Sequence, residues 1–331
     1  MGYYYEDALM GEADFAKAFE KFQKASEGGI AEGTYNVGRY YRYSVGIPEN
    51  PELAIQNFLK AVEAGDGQAM IEMALVYEYE YGGYEFDAQK TLDYMTKSAE
   101  QGYSYAQYKV GYYHYYGLLE QDIQKGMEWF QKSYERGYPH AAIMIGNYYL
   151  YNHGGEKDYA KSYEYYKFAE ERNVLTEGLG ICYEFGFGVE ENNTEAFKYY
   201  TLAAEKDNTA SKYRLGLCYK YGTGTTENMT EAYNWFSKAA ENEHFNAQYE
   251  TAMMLLDGKG VAQDEQKAVE MLKKIAEDDH DDAQFELGNC YLTGRGVAED
   301  EAQAMFWYQK AADNGNEQAQ KLTGKRERRR R

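Results

Sequence analysis

The sequence predicts an all-α protein made of stacked helical hairpins, and three observations indicate this fold class. A glycine or alanine recurs at the same phase every 34 to 37 residues along the chain. Apolar residues recur at helical spacing around each of these anchor residues, and again in a second stretch that follows it. An aspartate or asparagine precedes the second stretch at a fixed distance in nine repeats. A chain of 331 residues can therefore form one repeat array without a single central core.

Each repeat supplies two predicted helices. Helix A surrounds the anchor, with small or apolar residues five and one before it and two and three after it. The amphipathic stretch of helix B follows, and its first small residue stands about 16 residues after the anchor, as Ala304 does after Gly288. Two antiparallel helices approach closely only where one presents Gly or Ala and the other presents an aromatic ring. We therefore expect the anchors to face helix B, and a larger residue at Ala239 or Ala311 to overpack that seam. The anchors are Gly2, Gly38, Ala74, Gly111, Gly146, Gly180, Gly216, Ala252, Gly288 and Gly324.

Polar residues near the turns are predicted to be helix caps. Four residues before the first small residue of helix B stands an Asp or Asn in each of the nine repeats. These side chains accept hydrogen bonds from the free amides of a helix start, which favours capping over metal binding. The predicted caps are Asp14, Asn50, Asp87, Asp122, Asp158, Asn192, Asn228, Asp264 and Asp300.

The glycine pair Gly294 and Gly296, beside Asp300 and Glu301, could suggest a catalytic or phosphate-binding loop. The same arrangement, however, is written four times at a spacing of 36 residues. A phosphate loop follows a strand, whereas a predicted helix precedes these glycines. Glycine adopts the left-handed conformation at a helix end without steric cost, so the pair is predicted to be a turn.

Two segments carry a family resemblance: "SKYRLGLCYKYGTGTTENMTEAYNWFSKAAENE" at 211–243 and "AQFELGNCYLTGRGVAEDEAQAMFWYQKAADNG" at 283–315. They resemble Sel1-like repeats, which are relatives of the tetratricopeptide repeat. The resemblance implies a right-handed α/α superhelix of about nine hairpins plus a C-terminal capping half repeat. It assigns residues 1–324 to the repeat array and leaves 325–331 as a basic tail. Similar proteins serve as adaptors in protein quality control, as cell-wall enzyme activators and as bacterial host-interaction factors, so the resemblance leaves the function open.

Charge and composition argue against several classes of protein. The net charge is -20, although the last seven residues, "KRERRRR", hold six bases and one acid. The acidic body should repel nucleic acid and anionic membranes. Any contact with nucleic acid is therefore expected only at the basic tail. No uncharged run approaches the roughly 20 residues of a membrane helix, and the acidic start does not resemble a secretory signal. With only three unevenly placed cysteines, the chain is predicted to be cytoplasmic.

The strongest functional signal is a row of aromatic residues five positions after the anchor. The row occupies six successive repeats, with Asp7 before it and Asp257 and Thr293 after it. By similarity with tetratricopeptide arrays, this position and those one and four after the anchor should line the concave face. Tyrosine offers large contact area with little rotamer entropy to lose. The predicted partner-binding residues are Tyr43, Tyr79, Tyr112, Tyr115, Tyr116, Tyr151, Phe185 and Tyr221.

The row could serve binding, or it could only seal neighbouring A helices against each other. Its limited extent favours binding, because a packing device should occur in all nine repeats. The predicted partner is a protein or extended peptide of basic or mixed charge, held in a tyrosine-rich groove. One alternative is a small-ligand-binding, glycan-binding or hydrolytic protein that uses the same groove. A second is nucleic-acid contact through the basic tail.

No catalytic, cofactor or metal site is predicted. Cys182, Cys218 and Cys290 share one phase, two residues after the anchor, which indicates packing. The five histidines fall at unrelated phases, and only "DDHDD" at 278–282 gathers potential metal ligands. No nucleophile, base and oxyanion donor can be assembled from residues of matching phase. The first repeat begins inside its helix A, so self-association through this incomplete repeat is also left open.

Overall fold

The computed structural model describes residues 14–151 and 157–324, and every regular element in these ranges is helical. This confirms the predicted all-α class of repeated helical hairpins. The chain divides into two compact units between Lys157 and Asp158. Within the described ranges, no helix has both the length and the apolar character needed to cross a membrane. The assignment of residues 1–324 to one repeat domain stays a prediction.

The first unit contains, in its described part, eight α-helices and one short 3-10 helix. Their bounds are α1 Phe15–Glu27, α2 Ala31–Tyr43, α3 Pro51–Glu63, α4 Gly67–Glu78, the 3-10 helix Tyr81–Gly83, α5 Ala88–Glu100, α6 Ser104–Tyr116, α7 Ile123–Glu135 and α8 Pro139–Tyr151. The odd-numbered helices are the predicted B helices, and the even-numbered ones are the predicted A helices. Buried apolar side chains of neighbouring helices form the core, as where Phe58 of α3 packs with Met73 of α4.

The second unit continues the same alternation through ten described helices. Their bounds are α9 Tyr159–Glu170, α10 Glu177–Phe185, α11 Asn193–Glu205, α12 Thr209–Tyr221, α13 Met229–Glu241, α14 Phe245–Asp257, α15 Glu265–Glu277, α16 Asp281–Thr293, α17 Glu301–Asp313 and α18 Glu317–Thr323. The short α18 is an A helix without a following B helix among the described residues, which is the predicted half repeat. Its buried Ala319 packs with Ala311 and Ala312 of α17.

The predicted caps are confirmed at all nine described starts of a B helix. Each cap side chain accepts a hydrogen bond of 2.9 to 3.1 Å from the backbone N–H three residues further along the chain. Asn192 also accepts one from Thr194. These contacts satisfy amides that have no partner inside the helix. The polar residues beside the turns are therefore explained by helix geometry, with no chemistry required.

Five of the anchor glycines lie against aromatic rings of helix B, as predicted. A Cβ atom at Gly216 would stand 2.5 Å from Cδ1 of Phe236, and one at Gly288 would stand 2.6 Å from Cε1 of Tyr308. Both rings are buried. The same contact joins Gly38 to Phe58, Gly111 to Phe130 and Gly180 to Tyr200. The absence of a side chain at the anchor is what lets the two helices of a hairpin approach.

The two glycines of each Gly-x-Gly turn have different roles. The first ends helix A in the left-handed conformation, as Gly294 does with φ 67 at the end of α16, and this confirms the predicted turn. The second, Gly296, lies against the backbone of Glu265 at the start of α15, where a Cβ atom would overlap it. The equivalent contacts join Gly188 to Tyr159, Gly224 to Asn193 and Gly260 to Met229. The second glycine therefore allows close approach between successive hairpins.

Candidate partner-binding surface

The aromatic row lies at the carboxyl ends of the A helices, and its rings are largely exposed. Each member is the last residue of its helix or, in α4, the residue that caps it. Asp257 and Thr293 take this place in α14 and α16. The exposed fractions are 52% for Tyr43, 64% for Tyr79, 55% for Tyr116 and 49% for Tyr151 in the first unit, and 50% for Phe185 and 65% for Tyr221 in the second. Binding by these rings stays a prediction.

Tyr43 is held at its hydroxyl end by a hydrogen bond to the buried Glu72 side chain. Its hydroxyl donates to the Glu72 carboxylate on the next A helix, at 3.1 and 3.2 Å from the two oxygens. Burial of the hydroxyl, followed by the nearby Glu72 charge, raises the pKa of Tyr43 to about 12. The hydroxyl is therefore a permanent donor at physiological pH. One end of the side chain is held, while half of its surface remains available.

Tyr112 and Tyr116 form a pair on the surface of α6. Their ring centroids are 4.6 Å apart with an interplanar angle of 48°, and Tyr112 is 40% exposed. The spacing of four residues places the two side chains on one face of the helix. Among the predicted residues, α6 thus contributes two exposed rings, Tyr112 and Tyr116.

The expectation for Tyr115 needs a correction, because its side chain is only 5% exposed. Its Cβ lies close to Gly126 of α7, where a Cβ atom would be 2.9 Å away. Its ring also packs against Phe130, with centroids 5.8 Å apart. The glycine at 126 leaves room for the backbone and Cβ of Tyr115 to approach α7. Tyr115 therefore packs inside its hairpin and cannot contact a partner on the surface.

Ion pairs connect consecutive A helices beneath the row. Arg42 pairs with Glu72 at 2.7 Å, and the two side chains are only 10% and 9% exposed. An equivalent pair of 2.7 Å joins Lys109 to Glu78. In the second unit Lys220 pairs with Glu250, again at 2.7 Å. In these three helices the residue four positions after the anchor therefore bonds to the next A helix and faces it.

The connection between α4 and α5, residues 79–87, is an exposed feature that sequence reasoning did not single out. It reads "YEYGGYEFD" and contains four aromatic and three acidic residues with no base. Phe86 is 51% exposed, and Glu80 takes the left-handed conformation with φ 55. The signal that could have revealed it is the departure from the Gly-x-Gly turn of the later repeats.

Two cavities lie away from the row. One of about 580 Å³ lies beside the connection from α6 to α7 and includes Leu92 and Leu118 in its lining. Another of about 350 Å³ lies between α13 and α15, over Gln248 and Thr251. A small-ligand site needs an enclosed cavity with convergent polar groups. No residue of the row lines either cavity.

The cysteines are buried and unbridged, which confirms the packing interpretation. Burial raises the pKa of Cys182 and of Cys218 to about 12, so these thiols are protonated and poor nucleophiles. The expectation that all five histidines fall at unrelated phases is wrong for two of them. His244 and His280 both stand eight residues before an anchor and cap α14 and α16, because each Nδ1 accepts a backbone hydrogen bond. Across residues 14–151 and 157–324, no group of three or more His, Cys, Asp or Glu side chains is arranged to hold a metal ion.

Two predicted features lie outside the described residues. The incomplete first repeat, for which self-association was left open, falls mostly on residues 1–13. The basic tail, the expected place for any nucleic-acid contact, is residues 325–331. Both stay predictions.

Comparison with known families gives one match that covers nearly the whole chain. The profile of the Sel1 repeat matches nine consecutive segments. These are residues 1–30, 31–66, 67–103, 104–138, 139–174, 177–208, 209–244, 246–280 and 281–316. The segment boundaries agree with the predicted period and with the helical hairpins of the structure.

Solved structures of similar sequence have the same type of fold. A protective antigen, c5321, of uropathogenic Escherichia coli strains, which displays an SLR fold, aligns with a TM-score of 0.63 and 27% identity, over 98% of this chain and 77% of that one. A Sel1 repeat protein from Oxalobacter formigenes aligns with a TM-score of 0.62 and 26% identity, over 92% and 89% of the two chains. No curated protein sequence gives a significant match.

Proposed function

Because the chain belongs to the Sel1 repeat family, we propose that it is a non-catalytic scaffold that binds a protein or extended peptide through the exposed aromatic row. Sel1 repeat proteins are generally protein-interaction scaffolds. The observation that supports the row as the binding surface is the exposure of large rings at one register in successive A helices. Large apolar surface in a repeated register is typical of interaction sites.

Tyrosine suits this role for energetic reasons. Its ring buries a large area on contact, only two side-chain torsions are restricted, and the hydroxyl can still form a hydrogen bond. The rings lie at helix ends, which the ion pairs beneath them hold to the neighbouring A helix. A surface that is already ordered loses less entropy on association. The row should therefore bind an extended segment along several repeats of a unit.

The charge of the body favours a basic or mixed-charge partner. The chain carries 55 acidic against 35 basic residues, and such an excess accelerates association with cationic partners and disfavours acidic ones. We propose no catalytic step, since the buried cysteines are protonated and the row residues are aromatic side chains. We also propose that the protein is cytoplasmic.

The test compares three versions of the chain in capture experiments from the native host. The wild type, the triple variant Tyr79→Ala/Tyr116→Ala/Tyr151→Ala, and Phe306→Ala serve as bait. Phe306 is the matched control, because it is 52% exposed on a B helix outside the row. Bound proteins are identified by mass spectrometry, and affinities are then measured with the purified partner.

The triple variant should lose the partner, with each true hot spot contributing about 2 kcal/mol or more, whereas Phe306→Ala should bind like the wild type. Circular dichroism should show equal helicity in all three. Equal capture by the wild type and the triple variant would remove the row from the binding mechanism.

A further inference from the structure

The connection 79–87 contains exposed aromatic and acidic side chains that form no specific contact with the rest of the described chain. Tyr79, Glu80, Glu85 and Phe86 are all exposed. Within the described part of the chain, none of these four side chains forms a hydrogen bond, an ion pair or a ring contact. The other aromatic residues of the connection are engaged, since Tyr81 donates to Glu49 at 3.0 Å. Two aromatic rings and two carboxylates are therefore exposed here and accessible to a partner.

At two other members of the row, Tyr43 and Tyr221, the chain supplies its own cation to the tyrosine ring. The Arg42 guanidinium lies 5.4 Å from the ring centroid of Tyr43, which follows it in α2. Lys220 lies 5.1 Å from the ring centroid of Tyr221, which follows it in α12. In both helices the residue before the row member is basic, and cations are attracted to the face of an aromatic ring.

The ring of Tyr79 differs because the preceding residue is acidic. Glu78 does not offer a cation, and its carboxylate is bound to Lys109 at 2.7 Å. No basic side chain lies over the Tyr79 ring in residues 14–151. The sequence on either side of Tyr79 is also strongly acidic, since residues 51–100 contain ten acidic and three basic residues. The Tyr79 ring thus has the same place as Tyr43 and Tyr221 but lacks their cation.

We infer that the partner supplies this cation, as the guanidinium of an arginine placed on the Tyr79 ring with Glu80 and Glu85 as its counter-charges. The inference rests on the proposed function and narrows it to an arginine-bearing segment. The chain shows the geometry internally, because Arg42 lies 4.7 Å from the centroid of Tyr81 while pairing with Glu72. A planar guanidinium stacks on a ring and donates to a carboxylate at the same time, which an ammonium does less well.

The test uses short fluorescent peptides and the full chain. One probe contains repeated Arg-Gly-Gly units, a second replaces every arginine by lysine, and a third replaces it by citrulline, which has nearly the same shape without the charge. Binding is followed by fluorescence anisotropy at low and high salt. The variants are Tyr79→Leu, which removes the ring, Tyr79→Phe, which keeps it, and Phe306→Leu as a control that removes an exposed ring outside the row.

The arginine peptide should bind more tightly than the lysine peptide, and the citrulline peptide should not bind. Tyr79→Leu should weaken binding of the arginine peptide by about two- to fivefold, while Tyr79→Phe and Phe306→Leu should bind it like the wild type. Glu80→Gln/Glu85→Gln should weaken binding and flatten its salt dependence.

Equal binding of the arginine and citrulline peptides, or no effect of Tyr79→Leu, would overturn the inference. This failure is separable from failure of the proposed function. If the triple alanine variant still loses the native partner, the row binds and only the arginine contact is wrong. If the triple variant keeps its partner, the proposed function itself is wrong. Melting temperatures of the variants distinguish either outcome from unfolding.

Discussion

Gly216 lies so close to the ring of Phe236 that a Cβ atom at position 216 would stand 2.5 Å from Cδ1. The ring is fully buried and belongs to the helix that returns along α12. An added methyl group therefore has no space unless the two helices move apart. This relationship recurs in other hairpins of the chain, so it sets the spacing of the helices on which the row is carried.

Gly216→Ala should destabilise the second unit by about 1 to 3 kcal/mol, because overpacking outweighs the gain in helix propensity. Gly28→Ala is the matched control, since its φ is -75 and a Cβ atom there meets nothing nearer than 3.4 Å. Urea denaturation followed by circular dichroism measures both. A Gly216→Ala protein as stable as the wild type would contradict the contact.

Glu72→Ala should destabilise the first unit by about 3 to 5 kcal/mol, because it removes the carboxylate that pairs with the buried Arg42 guanidinium and accepts from the Tyr43 hydroxyl. Arg42 then keeps its hydrogen bond to the backbone carbonyl of residue 72 but has no counter-charge there. Glu20→Ala removes the exposed ion pair with Lys24 and should produce no measurable change. Denaturation midpoints of the two variants provide the comparison. Similar losses of stability in both variants would show that the buried ion pair between α2 and α4 stabilises the protein no more than an exposed one.

Asn192→Ala should cost about 1 kcal/mol of stability, because the amides of Thr194 and Glu195 lose their acceptor. Asn192→Ser retains a side-chain oxygen at the cap and should remain close to the wild type. Thermal melts report the difference. If serine and alanine behave alike, capping by the side chain does not stabilise α11.

Stability of the second unit should fall as the pH drops below about 6.5. Burial lowers the pKa of His244 below its ordinary value of 6.5, and the Arg214 charge adds a smaller lowering. The unfolded chain therefore binds the proton more readily, so this contribution is complete above about 6.5 and is lost as the pH falls towards the folded-state pKa. In the folded state the neutral Nδ1 accepts from the Ala247 N–H at 3.2 Å, and the ring stacks on Tyr213.

His244→Asn should remove this part of the pH dependence while keeping the cap. Asn208 caps α12 in the same way, through a 2.8 Å hydrogen bond from the Ser211 N–H. Urea midpoints measured at neutral pH and at about pH 5 test the difference. Identical pH dependence in the wild type and the variant would assign the effect to other groups.

The candidate surface was only partly predictable from the sequence. The register of the row followed from counting residues within each repeat, and its rings are exposed where the structure describes them. The burial of Tyr115 could not be predicted, because it depends on the glycine at 126 in another helix. The connection 79–87 was also missed, since its importance lies in which side chains have no partner, and partners are assigned only by folding.

The sequence by itself determined the period, the helix caps and the helix-ending glycines. These features depend on a few neighbouring residues and the free amides or left-handed backbone of a helix end, so a local pattern contains all of the relevant physics. Tertiary structure alone decided which small residues permit close approach between hairpins, as Gly296 does against Glu265, 31 positions earlier. It also decided which rings stay in solvent. Contacts between distant parts of a chain depend on packing in three dimensions. There, the absence of one side chain determines how closely a neighbouring segment can approach.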